Sequence, residues 1–182
     1  QNKQNQIIYF YPDPQIGGVE KNFFLVSKYL CTFFNHNFLI TNNRIINKFD
    51  KRIKLIKTSN FWSIINRRLF FIICSIKLFL ISAKFKKSII FSFQGNFYAV
   101  IVAILLKKKI AIRSNLSPQG WVGSPLKLKI FKYLLSKTDL IIVNGDDFNK
   151  EMKKIFGVKA TTIYNPINSY EINKLSNYKK KI

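Results

Sequence analysis

The chain has 182 residues, 48% of them hydrophobic, enough to bury one compact core. Its 31 basic residues against 8 acidic ones give a formal charge of +23. That balance draws phosphates, nucleic acid or anionic lipid headgroups through long-range electrostatics, although the Lys, Asn, Ile and Phe bias of AT-rich coding also produces it. The single histidine, His36, excludes a histidine-rich metal centre, and Cys31 and Cys74, at no ligand-like spacing, exclude a disulfide framework.

Residues 6 to 11, QIIYFY, read as a buried first strand. From Val19, the apolar residues Phe23, Val26, Leu30 and Phe33 follow at spacings of three and four, which puts them on one helix face. His36, in FFNHNF, falls in a surface loop between that helix and the next strand. FLIT near 38 and RIKLIK near 52 predict two more strands. Residues 60 to 85 are the most hydrophobic stretch, but Arg67, Arg68 and Lys77 interrupt it, so no run reaches the roughly 18 uncharged apolar residues of a membrane span. Two readings stay open for this stretch. It is a long core helix over the sheet, or it lies in the headgroup layer of an anionic membrane, with Phe61 and Trp62 at one end and Lys and Arg on the other face.

SIIFSF at 88–93, KIAIR at 109–113, DLIIVN at 139–144 and ATTIY at 160–164 bring the strands to about seven, with helical patterns at 96–107, 124–137 and 146–156. Cys31 and Cys74 sit in apolar helical patterns and read as reduced, packed thiols of a cytosolic protein. NKLSNYKKKI forms a polar tail. The start, on Gln with no secretory signal pattern, reads as that of a segment of something longer. Short strands alternating with longer helices predict an α/β fold, a Rossmann-like parallel sheet with helices on both faces.

In such a sheet, ligands bind beyond the carboxyl ends of the strands, where loops give way to helix N-termini. Gly17 and Gly18 follow the first strand. Lacking Cβ atoms, they let the backbone turn sharply and a ligand come close, and the first helical N–H groups present positive charge suited to a phosphate. Glu20 falls in the first turn, where it caps free N–H groups or accepts from a hydroxyl-rich ligand. A tight turn with a helix cap is the plainer reading of the same residues. After the strand at 88–93, Gln94, Gly95 and Asn96 set two amides around a glycine, suited to sugar hydroxyls. Arg113 is placed to grip a phosphate in bidentate fashion, with Ser114 and Asn115 as neutral donors beside it. Asn144 ends its strand, with Asp146 or Asp147 as helix cap behind it. Asn165 faces the same edge, and Pro166 stiffens the exit. Polar loops are usual in α/β proteins, so it is their coincidence at one edge that makes a site.

The stretches GGVEKNFFLVSKYL, IRSNLSP, KTDLIIVNGDDFNKEMKKIFGV and IYNPIN, in this order, resemble the N-terminal domain of family 4 glycosyltransferases of the GT-B fold. The resemblance covers nearly the whole chain. It implies an acceptor domain over residues 1–168, the start of an interdomain linker or tail over 169–182, and a C-terminal donor-binding domain absent from this chain. It further implies transfer from a nucleotide-sugar donor, with retention of configuration, onto a cell-envelope glycan or a lipid-linked or lipopolysaccharide acceptor. No cofactor and no metal is implied. The expected location is cytoplasmic, peripheral on the anionic inner face of the plasma membrane.

By the same resemblance, Gly17 and Gly18 match the loop that approaches the donor diphosphate and reacting sugar, and Glu20 follows in its usual place. Arg113 and Asn115 match the stretch where many members carry a histidine, which is missing here, and no catalytic residue is assigned. Asn165 and Pro166 match the end of the first domain. Without its second domain the chain is expected to be inactive by itself. Two readings compete with this one. A nucleic-acid-binding module suits a pI near 10.2 and 15% aromatic residues. Against it, the cations are spread along the chain and no helix-turn-helix or RNP-like signature appears. The other is a non-catalytic, membrane-associated relative of a transferase, kept for binding.

Overall fold

The computed structural model describes residues 6–15, 17–42, 49–59, 61, 66–121 and 123–165. Trp62, Pro166 and the segment 169–182, all singled out in the sequence, lie outside the described residues.

Strands buried on both faces read as continuous apolar runs, and β1 (Gln6–Phe10), with all five residues buried, is the plainest case. The remaining strands are β2 (His36–Asn42), β3 (Ile53–Thr58), β4 (Ser88–Ser92), β5 (Lys109–Ser114), β6 (Leu140–Val143) and β7 (Thr161–Thr162). They form one seven-stranded sheet in the order β3-β2-β1-β4-β5-β6-β7, parallel throughout. The chain therefore moves one way from β1 to β3, then returns to lay β4 on the other side of β1. Right-handed crossovers place the helices of the two directions on opposite faces.

One face carries α1 (Gly18–Leu30), whose Phe23 is fully buried among Tyr9, Tyr11 and Phe93, with ring centroids 5.5, 5.1 and 4.9 Å away. The other face carries α2 (Arg67–Lys84), α3 (Asn96–Leu105) and α4 (Pro125–Ser136), which pack Phe70, Leu78, Val100 and Leu135 on Ile8, Phe10, Ile90 and Ile112. Neighbouring helices lock through rings: Phe71 stacks on Tyr98 at 5.6 Å and Phe97 on Phe131 at 3.7 Å. The Asn66 side chain caps α2 by accepting from the Arg68 and Leu69 amides, and Ser124 caps α4 ahead of Pro125, whose missing N–H is harmless at that position. No helix among the described residues is long and apolar enough to cross a membrane.

The parallel α/β architecture with helices on both faces is as expected, and the differences are local. The helix predicted to include Phe33 stops at Leu30, because Thr32 and Phe33 turn back onto the carbonyls of Tyr29 and Leu30. Phe33 thus leaves the buried face and rests, exposed, against Tyr29. His36 is the exposed first residue of β2, not part of a loop before it. The helical pattern at 146–156 divides into α5 (Asp146–Glu151) and a π-turn over Met152–Phe156, which Gly157 closes at φ 71°. Neither Asp146 nor Asp147 is the cap: Gly145 holds that position, and Asp146 instead accepts a 2.6 Å bond from the Tyr164 hydroxyl.

Candidate functional site

The strand order reverses between β1 and β4, and a crevice opens beyond their carboxyl ends. Phe10 sits level with Ile40 on one side and Ser92 on the other, so β1 and β4 end together while β2 runs on to Asn42. The ladder continues a little past them, with the Tyr11 amide donating to the Ile40 carbonyl at 3.2 Å and the Phe93 amide to the Phe10 carbonyl at 3.0 Å. Asp13 ties the segments after β1 and β4 to the end of β2. Its amide donates to Gln94 Oε1, and its carboxylate accepts from Asn42 Nδ2, both at 2.8 Å.

The segments after β1, β4 and β5 enclose a cavity of about 420 Å³. The segment after β1 contributes Tyr11, Gln15, Gly17, Gly18 and Val19, and the segment after β4 contributes residues 93 to 97. Arg113, Ser114, Asn115 and Leu116 close it from the end of β5, with Trp121 from the following 3-10 turn. The N-termini of α1 and α3 both open on it, adding two sets of free N–H groups.

Of the residues expected from the sequence, Gly17, Gly18, Gln94, Gly95, Asn96, Arg113, Ser114 and Asn115 come together on this cavity. The glycines do not share one role. A Cβ at Gly17 or Gly18 would have no atom within 4 Å, and Gly17 has the extended φ of 161° that any residue adopts. Gly17 and Gly18 leave the cavity open, but Gly17 makes no left-handed turn. Gly95 does: at φ 67° it caps α3, and a Cβ there would meet Phe71 ring atoms at 2.6 Å.

The amides largely hold the protein itself. Gln94 Oε1 accepts from Asp13, while Asn96 accepts from the Ser92 hydroxyl at 2.8 Å and donates to the Arg113 carbonyl at 3.1 Å. Ser114 donates to the Leu116 carbonyl, and Asn115 Oδ1 is buried with no hydrogen-bond partner among the described residues. Glu20, Asn144 and Asn165 do not line the cavity. Glu20 is buried, Asn144 is half-buried, and Asn165 works at one remove, its Oδ1 accepting from Arg113 Nη2 at 2.9 Å.

Arg113 is the centre of the charge distribution. It is 2% exposed, and the same Nη2 also donates to the Ile163 carbonyl at 3.1 Å. Its Nε is buried without a hydrogen-bond partner among the described residues, and burial lowers its pKa with no described carboxylate opposing the shift. A desolvated cation with no anion beside it is costly unless a ligand supplies one. No described lining residue is Asp, Glu, His, Lys or Cys. Tyr11 keeps its proton, its pKa pushed up to about 12 first by burial and then by the nearby charge of Glu20. The cavity thus joins a buried cation to apolar walls, and none of its described lining residues offers a carboxylate, imidazole or amine as a general base.

Tyr11, Phe97, Trp121 and Asp13 were missed in the sequence. The Pro residues flanking Asp13 in YPDP were the one available signal of a fixed loop.

No protein-family profile matches the chain, and no curated protein sequence does. Solved structures do. Anabaena HepE in complex with UDP and glucose aligns with 95% of this chain and 49% of its own at a TM-score of 0.60 and 13% identity. The lipopolysaccharide outer core galactosyltransferase WaaB aligns with 90% of this chain and 46% of its own at 0.58 and 14%. Glycyrrhiza uralensis UGT73P12, complexed with glycyrrhetinic acid 3-O-monoglucuronide, follows with 87% and 48% at 0.55 and 11%. The fold is that of one half of a GT-B glycosyltransferase. The chain spans about half the length of the solved structures it matches.

Proposed function

We propose that the chain is the N-terminal, acceptor-holding half of a GT-B glycosyltransferase. It would serve transfer of a sugar from a nucleotide-sugar donor to a cell-envelope glycan or lipid-linked acceptor, with retention of configuration, at the cytoplasmic face of a membrane. The family 4 assignment rests on the ordered motifs around Gly17, Arg113 and Asn165. The neighbours named above support the donor class, since HepE has been solved with UDP and with UDP-glucose.

One observation carries the reading: the guanidinium of Arg113, buried without a carboxylate, lies on the same cavity as the bare Gly17 and Gly18 and the open N-termini of α1 and α3. Positive charge converges there on the place where a phosphate would lie. The apolar walls supplied by Val19, Phe97, Leu116 and Trp121 suit a lipid or sugar face. Charge neutralisation falls to Arg113 and the helix ends, so the reading invokes no metal.

The test is calorimetric titration of the 182-residue chain with UDP-glucose and with farnesyl diphosphate, a short carrier-lipid analogue. Arg113→Gln removes the charge and should weaken binding of the phosphate ligand by roughly 10- to 100-fold, the worth of a charge-assisted hydrogen bond. Thermal unfolding run in parallel separates that effect from the lost bonds to Ile163 and Asn165. Equal affinity in both proteins removes Arg113 from the site, and failure of both ligands to bind the unaltered chain overturns the cavity assignment.

A further inference from the structure

An α-helix that packs on one side of a sheet normally shows polar residues on its other side. α2 does not. Phe70, Phe71, Cys74 and Leu78 face the core, yet Leu69, Ile72, Ile76, Phe79 and Leu80 are exposed, Ile76 at 54% and Leu80 at 57%. At 100° per residue these five fall within an arc of about 100°, opposite the buried stripe. The helix is apolar on both sides and covered on one.

The two helices beside it repeat the pattern. Ile101 and Leu105 are exposed on α3, and Leu126, Ile130 and Tyr133 on α4, each set at spacings of three or four. All three helices pack on the same sheet face, so their outer stripes share one surface. None of the three contains a single Asp or Glu. The charges are Arg67, Arg68, Lys77 and Lys84 on α2 and Lys127, Lys129 and Lys132 on α4.

We propose that this three-helix face docks on an anionic lipid bilayer, with the stripes of α2, α3 and α4 at the level of the acyl-chain boundary and the surrounding Lys and Arg among the headgroups. Charge decides between occupants. A second copy of the chain laid on this face would set cations against cations with no carboxylate to answer them. The chain's own last ten residues are also cationic, with Lys174, Lys179, Lys180 and Lys181 and no acid. A nucleic acid would satisfy the cations but leave the apolar stripes wet. A bilayer bearing phosphatidylglycerol satisfies both. Because α2, α3 and α4 each follow a strand of the parallel sheet, their N-termini share the edge where the cavity opens. The bilayer would lie beside the cavity mouth. The proposal does not rest on the glycosyltransferase reading.

Co-sedimentation of the full chain with mixed phosphatidylglycerol and phosphatidylcholine vesicles tests it. The double variant Ile76→Glu/Leu80→Glu changes only exposed positions, and far-UV circular dichroism checks that it folds. Binding to the mixed vesicles is expected, with little to phosphatidylcholine alone. The double variant should partition at least tenfold less, and Lys84→Glu at least about fivefold less, the worth of one interfacial cation. Retention of a short duplex DNA, which feels only the two added charges, should fall far less than vesicle binding in the Ile76→Glu/Leu80→Glu variant. Failure of the unaltered chain to bind anionic vesicles, or equal partition of the folded double variant, overturns the proposal. So does a dimer seen by sedimentation without lipid that the double variant abolishes, which assigns the face to a second copy.

Discussion

Gly95→Ala separates a glycine that the fold requires from glycines that leave room for a ligand. Gly95 sits at φ 67°, where an L side chain costs about 1–2 kcal/mol. Its new Cβ would also lie 2.6 Å from two ring atoms of Phe71 and 3.2 Å from Phe10. Phe71 cannot swing aside cheaply, since it is buried, in edge contact with Phe70 at 6.1 Å and stacked on Tyr98 at 5.6 Å. Overpacking of that kind costs about 1–3 kcal/mol. The two terms together give ~2–5 kcal/mol, a large part of the ~5–15 kcal/mol that holds a domain folded. Urea unfolding followed by circular dichroism measures it, with Gly18→Ala as the control. The control should shift stability by less than ~1 kcal/mol, because nothing approaches its Cβ and alanine suits a helix start. If Gly95→Ala unfolds within ~0.5 kcal/mol of the unaltered chain, the packing described around the cavity is wrong.

Gly18→Val should leave the unfolding midpoint nearly unchanged while abolishing sugar transfer in a protein that contains both GT-B halves, measured by incorporation of labelled sugar. Unchanged turnover would remove the glycine loop from the site. The thiols should be inert. Burial raises both, and Cys74 is pushed up to about 11, so at pH 8 roughly a thousandth of it is thiolate. Alkylation followed by mass spectrometry should be slow in the native chain and fast in urea, and rapid native labelling of Cys74 would refute its placement on the buried face of α2.

The sheet was legible because parallel strands covered on both faces leave unbroken apolar runs, as in QIIYFY and SIIFSF, and no other element does so in so few residues. The helix boundaries at Asn66 and Ser124 follow from ordinary caps, but the end of α1 does not. Phe33 keeps the apolar spacing of its helix after the backbone has already turned at Cys31, and periodicity is blind to that. The π-turn at Met152–Phe156 looks like continued helix for the same reason, since one extra residue per turn hardly disturbs the pattern.

At the site, the sequence placed Gly17, Gly18 and residues 94–96 at the right edge, because topology alone sets which loops meet. It read the amides as ligand contacts, and the structure adds partners within the protein. Asn96 and Gln94 bond across strands distant in the chain, to Arg113 and Asp13, and no local pattern announces such pairs. Arg113 was chosen for its chemistry, and its lack of a carboxylate neighbour emerges only from the packed arrangement.

The pair of bonds that Asp13 makes, to Asn42 on one side and Gln94 on the other, bears on kinetics. With the segments after β1 and β4 already fastened to each other and to the end of β2, a molecule arriving at the crevice finds walls that need no rearrangement. Its capture is then governed by diffusion and by attraction to positive charge, so the association rate should fall steeply as electrolyte is added and barely change with solvent conditions that slow loop motion.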